Sequence, residues 1–205
     1  MAIMSPSPLI GIVLAGGLGR RMGGIDKPLA LLGGRPLIGH VIERLGCARA
    51  ISANGDPARF ASFGLPVLPD TLPGHPGPLA GVLAGLDWAA AQGADGIVTA
   101  AADTPFFPRD CAVRLAAAAA EARVPVALAT GATPDGVRRH PTFAWWAVTM
   151  RPRLREALAA GRRRVGEVAE AGGLVEVAFP GDEPFFNVNT LADLALAERR
   201  LAAGL

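Results

Sequence analysis

Cysteine is scarce. Cys47 and Cys111 are the only two, with no CxxC spacing and no paired histidine, so neither a disulfide framework nor a zinc site is indicated. A reducing cytoplasm fits that usage. Long apolar runs are missing too, because Pro, Gly, Asp or Arg interrupts every uncharged stretch before the roughly eighteen residues a bilayer span requires. An export signal is not expected: no basic residue precedes the apolar segment Leu9–Leu18, and Arg20 and Arg21 stand where a small-residue cleavage site would follow. Charge of one sign is not in excess. Lys and Arg total 20 against 18 for Asp and Glu, and a net charge of +2 gives no strong field for nucleic acid. There is no internal repeat, and the alanine run 116–120 reads as helix.

What is present is a chain of 205 residues, 51% apolar and 19% charged, able to bury a core that offsets the entropy of ordering it. A single domain over 1–205, working as a monomer, is expected. Leu9–Leu14, bounded by Pro8 and Gly16-Gly17, reads as a strand buried on both faces. Leu37, Ile38, Val41, Ile42 and Leu45 recur at helical spacing between Pro36 and Gly46. Ala50–Ala53 and Pro66–Leu68 are short strand candidates, a helix runs from Leu79 to Gln92, and Gly96–Ala101 is another buried strand. A helix from Arg109 to Arg123 and a strand over Val124–Ala129 continue the alternation. Beyond them the pattern predicts a strand at Thr142–Val148, helices at Pro152–Ala160 and Arg164–Ala171, a strand at Leu174–Phe179 and a helix at Leu191–Leu201. Asn189 or Thr190 can cap that last helix, with Asp193 in its first turn. The order implies an α/β fold, three-layer α/β/α and Rossmann-like, with a mostly parallel sheet.

In such a sheet ligands collect beyond the carboxyl ends of the strands, and the loops there carry unusual residues. Leu14–Leu29 combines five glycines with Arg20, Arg21 and Lys27. Exposed backbone N–H groups and nearby cations suit a polyphosphate, the alternative being a plain glycine-rich turn. The segment contains no GxxxxGK[ST], and GxGxxG fails because Met22 replaces the last glycine, so a P-loop NTPase and a standard dinucleotide fold are disfavoured. Asp103 follows a buried strand and is placed to hold a hard cation, unless it caps a helix or forms an Asx turn before Pro105. Asp70 is a weaker case of the same kind. Ser52 and Asn54 suit a base or ribose edge, or a turn over Asn54-Gly55-Asp56-Pro57. The stiff loop Pro73–Pro78 frames a pocket or simply connects. His140, after Arg138-Arg139, and the run Arg162-Arg163-Arg164 suit an anionic substrate or a solvated basic turn. Trp145 and Trp146 point to opposite faces of a strand, so at least one belongs to the core. Asn187 and Asn189 share one side of an extended segment, where each suits a cation or phosphate and Asn189 equally suits helix capping.

Together, LAGGLGRRMGGIDKPL, SANGDP, LPDTLPGHPGPLAGVLAGL, AADTPFFP, HPTFA, GRRRV and FFNVNTLADLA resemble the molybdenum cofactor guanylyltransferase family of nucleotidyltransferases, over Leu14 to Ala195. The resemblance implies transfer of GMP from GTP to the terminal phosphate of molybdopterin, with magnesium. It implies that Leu14, Ala15 and Gly16 line the guanosine side, that Gly17, Arg21 and Lys27 hold phosphates, that Asp70 contacts GTP, and that Asp103 binds the metal. Arg21, Lys27 and Asp103 would then be catalytic, and His140, Arg163, Arg164, Asn187 and Asn189 would face the pterin. Ser52 departs from the asparagine that many members carry there. Other molybdenum cofactor biosynthesis proteins would be partners. The rivals are a molybdenum cofactor cytidylyltransferase, disfavoured by LAGG and by Asp103-Thr104-Pro105, and a non-catalytic GTP or molybdopterin carrier, disfavoured by Lys27 and Asp103.

Overall fold

In the computed structural model, which describes residues 8–16, 26–71, 77–181 and 183–204, the apolar run after Pro8 forms β1 (Gly11–Leu14), buried along its whole length. A short antiparallel hairpin, β2 (Leu31–Leu32) and β3 (Arg35–Pro36), leads into α1 (Leu37–Leu45). That helix stops where Gly46 takes a left-handed φ of 67°, a conformation that spares glycine the cost other residues meet. Next come β4 (Ala48–Ser52), β5 (Val67–Leu68), α2 (Pro78–Ala91), β6 (Gly96–Ala101) and α3 (Cys111–Ala122). The remainder is β7 (Val126–Thr133), β8 (Gly136–Ala147), α4 (Arg151–Ala159), α5 (Val165–Gly172), β9 (Leu174–Phe179) and α6 (Leu191–Ala202).

Seven strands form one sheet in the order β5-β4-β1-β6-β8-β7-β9. All its pairings are parallel except those of β8, which runs antiparallel to both β6 and β7. Alternation along β1 sends Val13 to the layer of α1 and α3, and Ile12 and Leu14 to the layer of α2, α4 and α5. The expected three-layer α/β fold is therefore observed. Gly81 and Gly85 let α2 lie close on the sheet: a Cβ at Gly85 would sit 2.9 Å from Ile12 and 3.0 Å from Ile97. A third, smaller apolar cluster joins Ala30, Leu32, Leu37, Phe106, Val188 and Ala197. Trp146 is the core tryptophan of its pair. No helix among the described residues is long and apolar enough to cross a membrane.

The main departure from the sequence pattern is the β7–β8 hairpin. Strands expected at Val124–Ala129 and Thr142–Val148 extend to Thr133 and back to Gly136, with Thr133 paired to Gly136 beside the turn. Their outer halves are polar and are held by cross-strand pairing, which leaves no apolar signature. The register shifts between Leu128 and Ala129, whose partners are Ala144 and His140, so Pro141-Thr142-Phe143 bulge out of the ladder. Proline, lacking an N–H, suits such a place. His140 consequently sits in a strand, and the expectation of a solvated basic turn is corrected.

Candidate active site

The carboxyl ends of β1, β4 and β6 open into a cavity of about 750 Å³ lined by Leu14, Gly16, Ser52, Asn54, Arg59, Asp70, Pro78 and Asp103, among others. Six of these are residues singled out from sequence. Beside them, the Ala15 methyl lies in the core and its N–H donates to the Ser52 carbonyl at 2.8 Å, because β1 still pairs with β4 at that point. Gly17, Arg21 and the segment Pro73–Pro76 lie outside the described residues. Pro78 occupies the first turn of α2, so the positive end of a 14-residue helix borders the cavity.

Asp103 lies two residues beyond β6, with α3 starting only at Cys111, so it caps no helix. Its carboxylate accepts from the Lys27 ammonium, which also donates to Asn189 Oδ1 at 2.9 Å. The two charged side chains are 19% and 17% exposed, screened less than surface pairs are. The Asp103 carbonyl takes the Val188 N–H at 2.8 Å, which lays segment 187–189 across the end of β6. Val188 is buried, which turns Asn187 and Asn189 to the opposite side. Thr104, fully buried, brings its hydroxyl 2.5 Å from Asn187 Oδ1 and 3.2 Å from Asp103 Oδ1; the single proton favours the shorter contact. Asn189 is not the cap of α6. Thr190 is, in a capping box with Asp193, whose carboxylate also accepts the Asn189 N–H at 2.9 Å and so leaves the Asn189 carboxamide to Lys27.

On the opposite wall Asn54 and Asp70 exchange two hydrogen bonds, Asn54 Nδ2 donating at 2.8 Å and the Asp70 N–H at 2.9 Å. Asn54 is thereby held by Asp70, and Asp56 caps the 3-10 segment Pro57–Phe63. Ser52 is buried beneath Gly81, where a Cβ would come within 2.6 Å of its hydroxyl oxygen. The sequence reading missed Arg59, which pairs with Asp26 at 2.6 Å and donates to the Asn54 carbonyl at 3.0 Å. It also missed that Lys27 is the only lysine in the chain, every other cationic side chain of that class being arginine. That count was available in the sequence.

A second cavity, of about 790 Å³, gathers His140, Asn187 and Asn189 with Arg138, Phe185 and Arg200. The His140 ring stacks on Phe185 at 4.2 Å between centroids. Arg163 and Arg164 are not part of it. They border a neighbouring cavity of about 550 Å³ with Arg139 and the start of α5. Hydrogen bonds that the Arg139 guanidinium donates to Glu170 and then Glu176 hold it above its ordinary pKa. Asn187 borders the first and second cavities, and bulged Thr142 borders all of the three.

For a cation, the oxygen donors gathered at Asp103, with Asn187 and Asn189 beside it, are hard ligands. Among the described residues no group of three or more His, Cys, Asp or Glu side chains is gathered. One carboxylate suits magnesium, which keeps waters and takes phosphate oxygens.

Residues 11–177 match the model of the MobA-like NTP transferase domain. The chain is 53% identical over 197 residues to a molybdenum cofactor guanylyltransferase of Cereibacter sphaeroides, covering 94% of this chain and 97% of that one. It is 49% identical over 203 residues to one from Mesorhizobium japonicum, covering 94% and 96%. The chain belongs to the molybdenum cofactor guanylyltransferase family. The solved structure of molybdopterin-guanine dinucleotide biosynthesis protein A from Archaeoglobus fulgidus matches its fold with a TM-score of 0.74 at 24% identity, covering 95% of this chain and 100% of that one. A 4-diphosphocytidyl-2C-methyl-D-erythritol synthase from Anaerococcus prevotii matches at 0.69 with 12% identity, over 95% and 98%, so the fold is not confined to this family.

Proposed function

We propose that the protein transfers GMP from GTP to the terminal phosphate of molybdopterin, releasing pyrophosphate and forming the guanine dinucleotide cofactor. The observation that carries this reading is the Lys27–Asp103–Asn189 cluster, set where a nucleotide-sized cavity meets a second one at Asn187 and Thr142. The first cavity would take GTP, with the guanosine toward Leu14, Gly16 and Ser52 and the phosphates toward Lys27, Arg21, Gly17 and the start of α2. The second would take the pterin, against His140, Asn187 and Asn189, with Arg163 and Arg164 meeting its anionic part from the adjoining cavity.

An oxygen of the molybdopterin phosphate attacks the α-phosphorus. A new phosphorus–oxygen bond forms as the bond to the β-phosphate bridging oxygen breaks, its electron pair leaving with pyrophosphate. The attacking phosphate is anionic near neutral pH, so no side chain has to remove a proton. Alignment and charge neutralisation are what the protein supplies. Lys27 and Arg21 would offset phosphate charge, and Asn187 and Asn189 would orient the acceptor at the junction. Magnesium, held through Asp103, would supply countercharge to the triphosphate.

The test is pyrophosphate release with molybdopterin and either GTP or CTP. Turnover with molybdopterin and GTP but not CTP supports the reading. Preference for CTP would assign a cytidylyltransferase, and nucleotide binding without pyrophosphate release would assign a carrier.

A further inference from the structure

We infer that Arg59 is a positioning residue for this reaction: it fixes Lys27 by clamping Asp26, the residue immediately before it, to the Asn54 wall. The inference rests on the function proposed above. Lysine is a point charge on a flexible stem, so where its ammonium stands depends on how firmly its backbone is held. Lys27 opens the 3-10 turn Lys27–Leu29, and Asp26 stands at the N-cap position without using its side chain as a cap. That carboxylate goes instead to Arg59 Nη1, at 2.6 Å. The other terminal nitrogen of the same guanidinium donates to the Asn54 carbonyl at 3.0 Å, and the guanidinium carbon lies 4.5 Å from the centroid of the buried Phe60 ring.

Arg59 is thus held by three different groups. Both partners of its ion pair are 29% exposed, less than in the surface pairs around Glu43. Its Nε is buried with no hydrogen-bond partner among the described residues, a cost that placing the guanidinium here must outweigh. The connection runs from Asp70 through Asn54 and Arg59 to Asp26, and from there to Lys27 and Asp103. It links the Asn54–Asp70 wall to Asp103, all of which border the cavity proposed for the nucleotide. Arg59 also borders that cavity, so a direct contact with nucleotide is the competing role.

Two readouts separate the roles. The first is pyrophosphate release by the wild type, Arg59→Ala, Arg59→Lys, Asp26→Asn, Lys27→Ala and the double variants. We expect Arg59→Ala and isosteric Asp26→Asn each to lower kcat about tenfold or more, as sub-ångström misplacement does. Their combination should be no worse than either alone, Arg59→Ala should add nothing to Lys27→Ala, and Arg59→Lys should recover part of the loss. The second readout needs no turnover. Because Lys27 is the only lysine, reductive methylation followed by peptide mass spectrometry reports on it alone among side chains. Arg59→Ala and Asp26→Asn should each speed its labelling several-fold. An unchanged labelling rate in both overturns the inference. So does a normal kcat in Asp26→Asn beside a raised KM for GTP in Arg59→Ala, which would mark direct contact. A wild type that labels as expected but turns over no nucleotide would sink the functional reading and leave the clamp standing.

Discussion

Lys27 and Asp103 are 76 residues apart in the chain and pair directly, with Asn189 completing the group. Asp103→Asn keeps the shape and removes the charge. It should lower GMP transfer by about a hundredfold or more, the scale of losing an electrostatic contact to a reacting group, while the thermal midpoint shifts by only a few degrees. Lys27→Arg keeps the charge and loses the geometry, since a planar fork does not replace a compact ammonium, and turnover should fall rather than survive. Thr104→Val removes the hydroxyl that lies 2.5 Å from Asn187. It should cost about 1 kcal/mol in denaturant unfolding and raise KM for molybdopterin more than for GTP. Asp103, Asn187 and Asn189 were legible in the sequence because each is a polar residue in a loop beside a buried strand or helix start. The pairing was not legible, since no local pattern encodes a contact between distant segments. Asn189 was ambiguous because Thr190, its neighbour, is an equally good cap, and the choice depends on Lys27.

Secondary-structure elements were legible where burial wrote a periodicity. Gly96–Ala101 and Leu174–Phe179 have the bounds that their apolar runs suggest. The outer halves of β7 and β8 were not legible, because they are stabilised by pairing with each other. Two substitutions probe this scale. Thr190→Ala breaks the capping box of α6 and should cost about 1 kcal/mol of unfolding free energy. Gly96→Ala would put a Cβ 2.5 Å from the backbone carbonyl oxygen of Trp146 and against the Trp145 ring. A backbone atom in a paired strand cannot step aside, so overpacking should cost about 1–3 kcal/mol, visible as a lower midpoint in the same titration.

Over the whole molecule, strand order is the least legible property, because the insertion of β8 between β6 and β7 is a matter of long-range pairing. Of its two thiols, Cys111 is buried on the α1/α3 side and Cys47 is half-buried against the same core, and burial pushes Cys47 up to about 11 and Cys111 up to about 12 from an ordinary 9.0. The unfolded chain therefore loses these protons first. Their contribution to stability is intact below about pH 9 and is lost as pH rises through the folded values, so unfolding free energy should decline between about pH 9 and 12. Cys111→Ala should make that decline shallower. The third apolar cluster has a broader effect, since it includes neighbours of Lys27, Asp103 and Asn187 in one small core. Leu32→Ala should reduce activity per folded molecule at temperatures well below the unfolding midpoint.

β8 also determines how the second ligand is met. From His140 to Gly136 it stays laddered to β7, so the side proposed for the acceptor is bounded by sheet as well as by loop. Such a mould is cast during folding, before any guest arrives. Docking there surrenders little chain freedom, and the selectivity of the enzyme for its acceptor is to that extent already spent when the polypeptide leaves the denatured state.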